Sequence, residues 1–275
     1  MTPKIQTPCF RNRIISKIFR LASMKLVFQH FFIFYFLFFI FQSCGLDIED
    51  PTPPPKPHWV QKSFPEEWPE RGIDAHESEG IFLEWELIEN QGVVAYLLYR
   101  AELNEENDSL GNYELLTRQE TGLNNDSSYL DPDTRSRIRY YYKLRAEDSS
   151  NNLSRYSDSI TYSKLPTISI NLMSPNSATA TLNTKRQLSW GYSYHLEMED
   201  YCITITTQTN ELIIRDVLSP TNYVGGTEYW TIPDSISLED NHLYKWRVDV
   251  VAGYVNDLET AGSESMWATF LYIGD

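Results

Sequence analysis

Two strictly alternating runs, set about a hundred residues apart, restrict this chain to stacked β-sheets. Tyr140-Tyr-Tyr-Lys-Leu-Arg-Ala146 puts Tyr140, Tyr142, Leu144 and Ala146 at every second position, which turns them to one face of a strand. His242-Leu-Tyr244-Lys-Trp246-Arg-Val248-Asp-Val250 has the same period. A second motif repeats in phase with the first. Leu83-Glu-Trp85 returns 105 residues later as Leu188-Ser-Trp190, and Tyr140 returns 104 residues later as Tyr244.

The intervening segments fit that plan. Ile81–Leu87 reads as a strand with Ile81, Leu83 and Trp85 together, and Gly92 opens a second run, Val93–Arg100. A polar insert, Asn104–Asn112, leads to Tyr113–Leu116, then come Ser128–Asp131, the Tyr140 strand, a polar turn at Asp148–Asn152 and Ser157–Lys164. Short strands at this density, with turn residues between them and no helical period, predict a β-sandwich. The second half offers Tyr201–Thr207, Glu211–Arg215 after a Thr209-Asn210 turn, Tyr229–Ile232, the Tyr244 strand and Met266–Ile273. The expected fold is all-β: two tandem immunoglobulin-like sandwiches, residues 59–165 and 166–275, with the boundary near Pro166.

Trp85, Tyr96 with Tyr99-Arg100, Tyr129-x-Asp131 and Tyr140-x-Tyr142-x-Leu144-x-Ala146-x-Asp148 resemble a bacterial fibronectin type III domain. Ser154 and Ser157, after Asn151-Asn152, match the F–G region of that family. The resemblance implies that Trp85 and Trp190 are core tryptophans of strand B. It also implies that Tyr140 and Tyr244 are tyrosine corners, each hydroxyl bonding back to the preceding turn, and it makes Asp131 a residue common after the strand E tyrosine.

The front of the chain is of another kind. Phe31–Phe41 is an unbroken apolar run of eleven residues preceded by Lys4, Arg11, Arg13, Lys17, Arg20 and Lys25, with no acidic residue before Asp47. Eleven helical residues cover roughly half of a ~30 Å hydrocarbon core, so the run suits a secretion signal better than a permanent span. Phe41-Gln42-Ser43-Cys44 resembles the lipobox of bacterial lipoproteins, which implies cleavage before Cys44 and acylation (palmitate) of its thiol. Residues 1–43 are then a signal peptide, with residues 1–23 an upstream mis-start if translation begins at Met24; an uncleaved signal anchor is the alternative. Residues 44–58 carry five prolines between Pro51 and Pro57 and are expected to form an extended, acidic linker after the lipid anchor. Asp47, Glu49 and Asp50 are similar to the export signal of some surface lipoproteins, and Gly45 lacks the aspartate of inner-membrane retention. The expected location is the outer membrane, lipid-anchored, periplasm-facing or at the cell surface.

Charge narrows the partners. All 38 acidic residues follow Cys44 but only 17 of the 23 basic ones do, a formal net charge of −21 for that part. Nucleic acid and anionic bilayers would repel it, so the lipid is the expected membrane contact and no nucleic-acid partner is expected. Cys202 is the lone cysteine after Cys44, which excludes a disulfide or CxxC metal site within that part and reads as a buried small hydrophobe. His58, His76, His195 and His242 are not spaced as ligands on one element, and Gly262-Ser-Glu-Ser is no nucleophile elbow. Carboxylate pairs such as Glu66-Glu67 and Glu105-Glu106 read as solvated loop charges; Asn124-Asn-Asp126 and Asp131-Pro-Asp133 are oxygen-rich but lack the calcium-loop pattern. No catalytic residue, metal or cofactor is expected.

Trp59, Trp68, Trp230 and Trp267 lie outside the strand B and strand F cores and are the candidate binding aromatics, since exposed rings serve sugars and protein hot spots. The expected function is a non-enzymatic envelope lipoprotein presenting two sandwich modules to a protein or glycan. An accessory glycan-binding subunit of an outer-membrane uptake system is the alternative.

Overall fold

The computed structural model describes residues 52–61, 72–77, 79–89, 92–104, 106, 108–122, 126–193, 198–221, 226–255 and 258–274. The first sandwich is built from β1 (Ile73–His76), β2 (Gly80–Glu84), β3 (Val93–Asn104), β4 (Ser109–Leu110), β5 (Glu114–Glu120), β6 (Ser128–Asp131), β7 (Arg139–Asp148) and β8 (Ile160–Lys164). The order β1-β2-β6 makes one sheet; β5 and β4 pair with β3, and β3-β7-β8 complete the other. The period of two explains the core. On β7, Tyr140, Tyr142, Leu144 and Ala146 are buried while Tyr141, Lys143, Arg145 and Glu147 face outward. Trp85, Tyr96, Leu98 and Tyr162 fill the space between the sheets.

Trp59 closes this sandwich. Its ring meets Trp85 edge-on at 6.5 Å, its indole N–H donates to the Asp158 carbonyl at 2.8 Å, and the backbone around it pairs with Glu84 and Glu86. This corrects the extent of the linker. From Thr52 onward the proline-rich segment lies against the sandwich, with Pro54 and Pro57 buried and Lys56 Nζ 2.8 Å from Asp158. The apolar surface of Trp59 anchors it, whereas a sequence reading weighs only the extended backbone of proline.

The second sandwich contains β9 (Gln187–Tyr192), β10 (Asp200–Thr207), β11 (Leu212–Leu218), β12 (Gly226–Thr231), β13 (His242–Val251), the short pair β14 (Tyr254–Val255) and β15 (Leu258–Glu259), β16 (Ala261–Glu264) and β17 (Ala268–Tyr272). β9 pairs with β12; β11-β10-β13 form the facing sheet, with β16 and β17 both on the far side of β13. Its core gathers Trp190, Tyr201, Ile203, Ile205, Trp246 and Phe270.

Both sandwiches use one device, on β7 in the first and β13 in the second. Ser157 Oγ accepts from Leu144 N and Ser154 Oγ from Ala146 N, each at 2.9 Å. Ser265 Oγ likewise accepts from Val248 N at 3.0 Å. These hydroxyls satisfy strand amides that a neighbouring carbonyl would otherwise take, as burial requires.

The two sandwiches share a sheet. β16 pairs with β8 in parallel, Ala261 beside Ser163 and Gly262 beside Lys164, with Ser163 N donating to Thr260 O at 3.0 Å and Leu165 N to Gly262 O at 2.7 Å. The larger sheets of both halves therefore run on as one ten-stranded sheet.

Candidate functional site

Trp85 and Trp190 are buried in their cores, beside Tyr96 at 5.7 Å and Tyr201 at 5.2 Å between ring centres. The Tyr140 hydroxyl accepts from Arg135 N at 3.1 Å and that of Tyr244 from Glu239 N at 2.8 Å, the donors lying in the turns before β7 and β13. These four residues shape the scaffold and present nothing to solvent.

The candidate binding aromatics divide. Trp59 and Trp230 are each only 7% exposed, so neither is an open platform, which corrects that expectation. Trp59 closes a core, as above, and Trp230 donates its indole N–H to Asp216 Oδ2 at 2.9 Å. Trp267 is half-buried, with the Lys245 and Arg247 cations 5.0 and 5.1 Å from its ring centre. Trp68 and Cys44 lie outside the described residues.

No group of three or more metal-ligating side chains occurs among the described residues. At Asp131-Pro-Asp133 the place of a cation is taken by Arg100, whose Nη1 is 2.8 Å from both Asp131 carboxylate oxygens and 3.3 Å from the Asp133 carbonyl. Tyr142 donates to Asp131 Oδ2 at 2.8 Å. Burial works against the Arg100 charge, yet the Asp131 carboxylate outweighs it and raises its pKa. Burial and the same carboxylate push the Tyr142 phenol far upward. Cys202 is fully buried, and burial pushes its thiol up to about 12, so it is no nucleophile at neutral pH.

A cluster the sequence did not single out occupies the outward face of the first sandwich. Tyr99 lies in register between Leu115 and Lys143, and its ring meets Tyr156 edge-on at 5.3 Å. Burial raises the Tyr99 phenol, with Tyr156 beside it adding to the shift. Lys143 Nζ sits 4.2 Å from the Tyr113 ring centre and 5.9 Å from that of Tyr156. The Arg145 guanidinium covers Tyr156 at 4.7 Å, and Tyr113 reaches across to Ser159 Oγ at 2.9 Å. Leu115 is 53% and Tyr156 42% exposed. The sequence signal was slight: Arg155-Tyr156 falls between the two serines of the F–G region, and only pairing of three strands brings Tyr113 and Tyr99 to it.

This face sets tyrosine and arginine, the residues that most often carry binding energy at protein interfaces, beside a lysine and an exposed leucine. Each cation–ring contact holds the stack together by about 0.5–1 kcal/mol at an exposed site. The rings thereby spend their faces on Lys143 and Arg145. What remains outward is N–H donors, phenol hydroxyls and the Leu115 side chain.

No protein-family profile matches the chain, and no curated protein matches it. Among solved structures it is similar to the chicken CNTN1 FN1–FN3 domains, at 14% identity and a TM-score of 0.35 over 81% of this chain and 69% of that one. It is also similar to the chicken interferon gamma receptor alpha chain, at 10% identity and a TM-score of 0.27 over 80% of this chain and 99% of that one.

Proposed function

We propose that this chain is a non-enzymatic envelope lipoprotein, held by acyl chains on Cys44 at the outer membrane, that binds a protein partner through the tyrosine–cation face of its first sandwich. The observation that carries the binding reading is the arrangement of Tyr99, Tyr113 and Tyr156 around Lys143 and Arg145. Sugar recognition by stacking uses open ring faces, and here Lys143 and Arg145 cover faces of Tyr113 and Tyr156, which supports protein over glycan at this surface. Adhesive function on such a scaffold resides in the exposed side chains that it holds in place.

A photo-crosslinking residue at position 156 in intact cells, with one at the exposed Leu172 as control, tests the face. A discrete adduct at 156 that is lost in Lys143→Glu/Arg145→Glu and absent from the control is the expected result; equal labelling at both positions overturns it. Cys44→Ala is expected to move the protein from the membrane to the soluble fraction and abolish labelling by a lipid precursor. Unchanged fractionation would make the segment at Phe31–Phe41 an uncleaved anchor instead.

A further inference from the structure

The outward face of the small sheet in the second sandwich carries no charge. Alternation turns Leu188, Trp190, Glu228 and Trp230 into the core. It leaves Gln187, Ser189 and Gly191 of β9 facing outward beside Thr227, Tyr229 and Thr231 of β12. Ser189 lies directly opposite Tyr229, and Gly191 opposite Thr227. On the other side of β9, Ser174 exchanges two backbone hydrogen bonds with Ser189, at 2.8 and 2.9 Å, which widens the face by one chain. Leu172 lies at its margin, where a Cβ on Gly191 would be 3.3 Å from Leu172 Cδ1. Glu228 is 2% and Trp230 7% exposed, whereas Tyr229 between them is 61% exposed. In a chain with 22% charged residues, this combination of serine, threonine, glutamine, glycine and tyrosine stands apart.

The first sandwich shows that the fold does not demand such a face. Leu83 and Trp85 hold the places of Leu188 and Trp190, so Glu84 stands where Ser189 stands, and the residue opposite Glu84 is Ser128. In place of a carboxylate opposite a serine, the second half sets a serine opposite an exposed ring. That ring is uncovered. Among the described residues the Tyr229 side chain has no ring, cation or hydrogen-bond partner, unlike Tyr113 and Tyr156, whose faces are taken by Lys143 and Arg145. Its neighbours along and across the sheet, Thr227, Thr231 and Ser189, are too short to lie over it.

Charge selects the ligand. A charged ligand of either sign would find no counter-charge on this face, and the chain's net charge of −15 would further oppose an anion. A neutral sugar meets neither obstacle. One side of a pyranose ring presents C–H bonds whose partial positive charge suits the electron-rich face of an aromatic ring. Its rim of hydroxyls pairs with protein hydroxyls and amides without desolvating a charge. Tyr229 supplies the ring, and Ser189, Thr227 and Thr231 supply hydroxyls directly beside it. A protein partner of ordinary size would cover about 800 Å² per side around an apolar centre, whereas the large apolar groups here are Tyr229 and the marginal Leu172. We propose that the outward face of β9 and β12 binds a neutral glycan, with one sugar stacked on Tyr229 and its hydroxyls held by Ser189, Thr227 and Thr231. The site is independent of the tyrosine–cation face on the first sandwich.

An array of neutral and uronic-acid oligosaccharides probed with the whole chain tests it, followed by calorimetric titration with the strongest neutral ligand. Saturable binding of at least one neutral oligosaccharide is expected, with no preference for the uronic acids. Tyr229→Ala is expected to weaken that binding at least tenfold and Tyr229→Trp to retain it, both with an unchanged denaturant midpoint because the position is exposed. Ser189→Glu gives this position the side chain that the first sandwich tolerates there, and is expected to weaken the same titration at least tenfold. Tyr156→Ala should leave it unchanged, which separates this site from the face on the first sandwich. Absence of binding by every neutral glycan, preference for uronic acids, or affinity unchanged in Tyr229→Ala overturns the proposal. A discrete protein adduct from a photo-crosslinking residue at position 229 in intact cells would assign the face to a protein and overturn it as well.

Discussion

Asp131 shows how much of a residue's role depends on neighbours distant in sequence. Its place after Tyr129 is legible, but its partners arrive from β3 and β7: Arg100 at 2.8 Å and Tyr142 at 2.8 Å. At 0% exposure an unpaired carboxylate would be severely penalised. Removing one member of a buried pair usually costs more than the pair contributes. Arg100→Met is therefore expected to destabilise the first sandwich by about 3 kcal/mol, read as a lower denaturant midpoint with an unchanged slope; a shift indistinguishable from zero would mean that the Tyr142 hydroxyl alone sustains Asp131. The corresponding position in the second sandwich is Ile232, whose N bonds Arg186 O as the β12 strand ends. Each half thus buries a carboxylate, but at a different level of its strand. Repeat spacing alone does not reveal that difference.

At the scale of elements, the alternating strands were legible because side-chain period and burial are the same fact seen twice. β7 keeps its alternation over all ten residues. Less legible were elements whose pairing is brief. β4 holds two residues on the end of β3, inside the stretch expected as a polar insert, and Thr52–His58 lies in the stretch expected as linker because proline dominates it. Two changes separate the forces that dock this segment. Trp59→Ala is expected to cost about 3 kcal/mol, as for other buried large aromatics, and to free the segment to limited proteolysis. Lys56→Ala should leave both stability and proteolysis unchanged, since exposed ion pairs contribute little, although hydrogen bonding from Lys56 holds the Asp158 carboxyl below its usual range. Equal effects of the two would show that charge, not apolar burial, seats the segment.

The whole molecule is set by the junction between the sandwiches. Besides the β8–β16 pairing, Glu77 N donates to Glu264 Oε2 at 3.1 Å and Ser263 Oγ to the Pro166 carbonyl at 3.1 Å, while Arg247 pairs with Glu264 and Asp249. The Tyr162 hydroxyl reaches Glu259 across the junction and lies 3.3 Å from Asp74 Oδ1. Gly262 permits this approach. A Cβ there would lie 2.6 Å from the Val250 carbonyl oxygen and 2.9 Å from the Tyr162 hydroxyl, closer than van der Waals contact allows. The wild type is expected to unfold in one calorimetric transition and Gly262→Ala in two, as the sandwiches uncouple; two transitions in the wild type would show that the shared sheet does not couple them. By itself the sequence determined the fold class and the alternating core residues of the long strands, because local period and burial dictate them, but not that Trp59 and Trp230 join those cores. Tertiary structure alone decided the tyrosine–cation face, the uncharged face around Tyr229 and the shared sheet. All three depend on which strands become neighbours, and residues far apart in the chain carry no local pattern that records it.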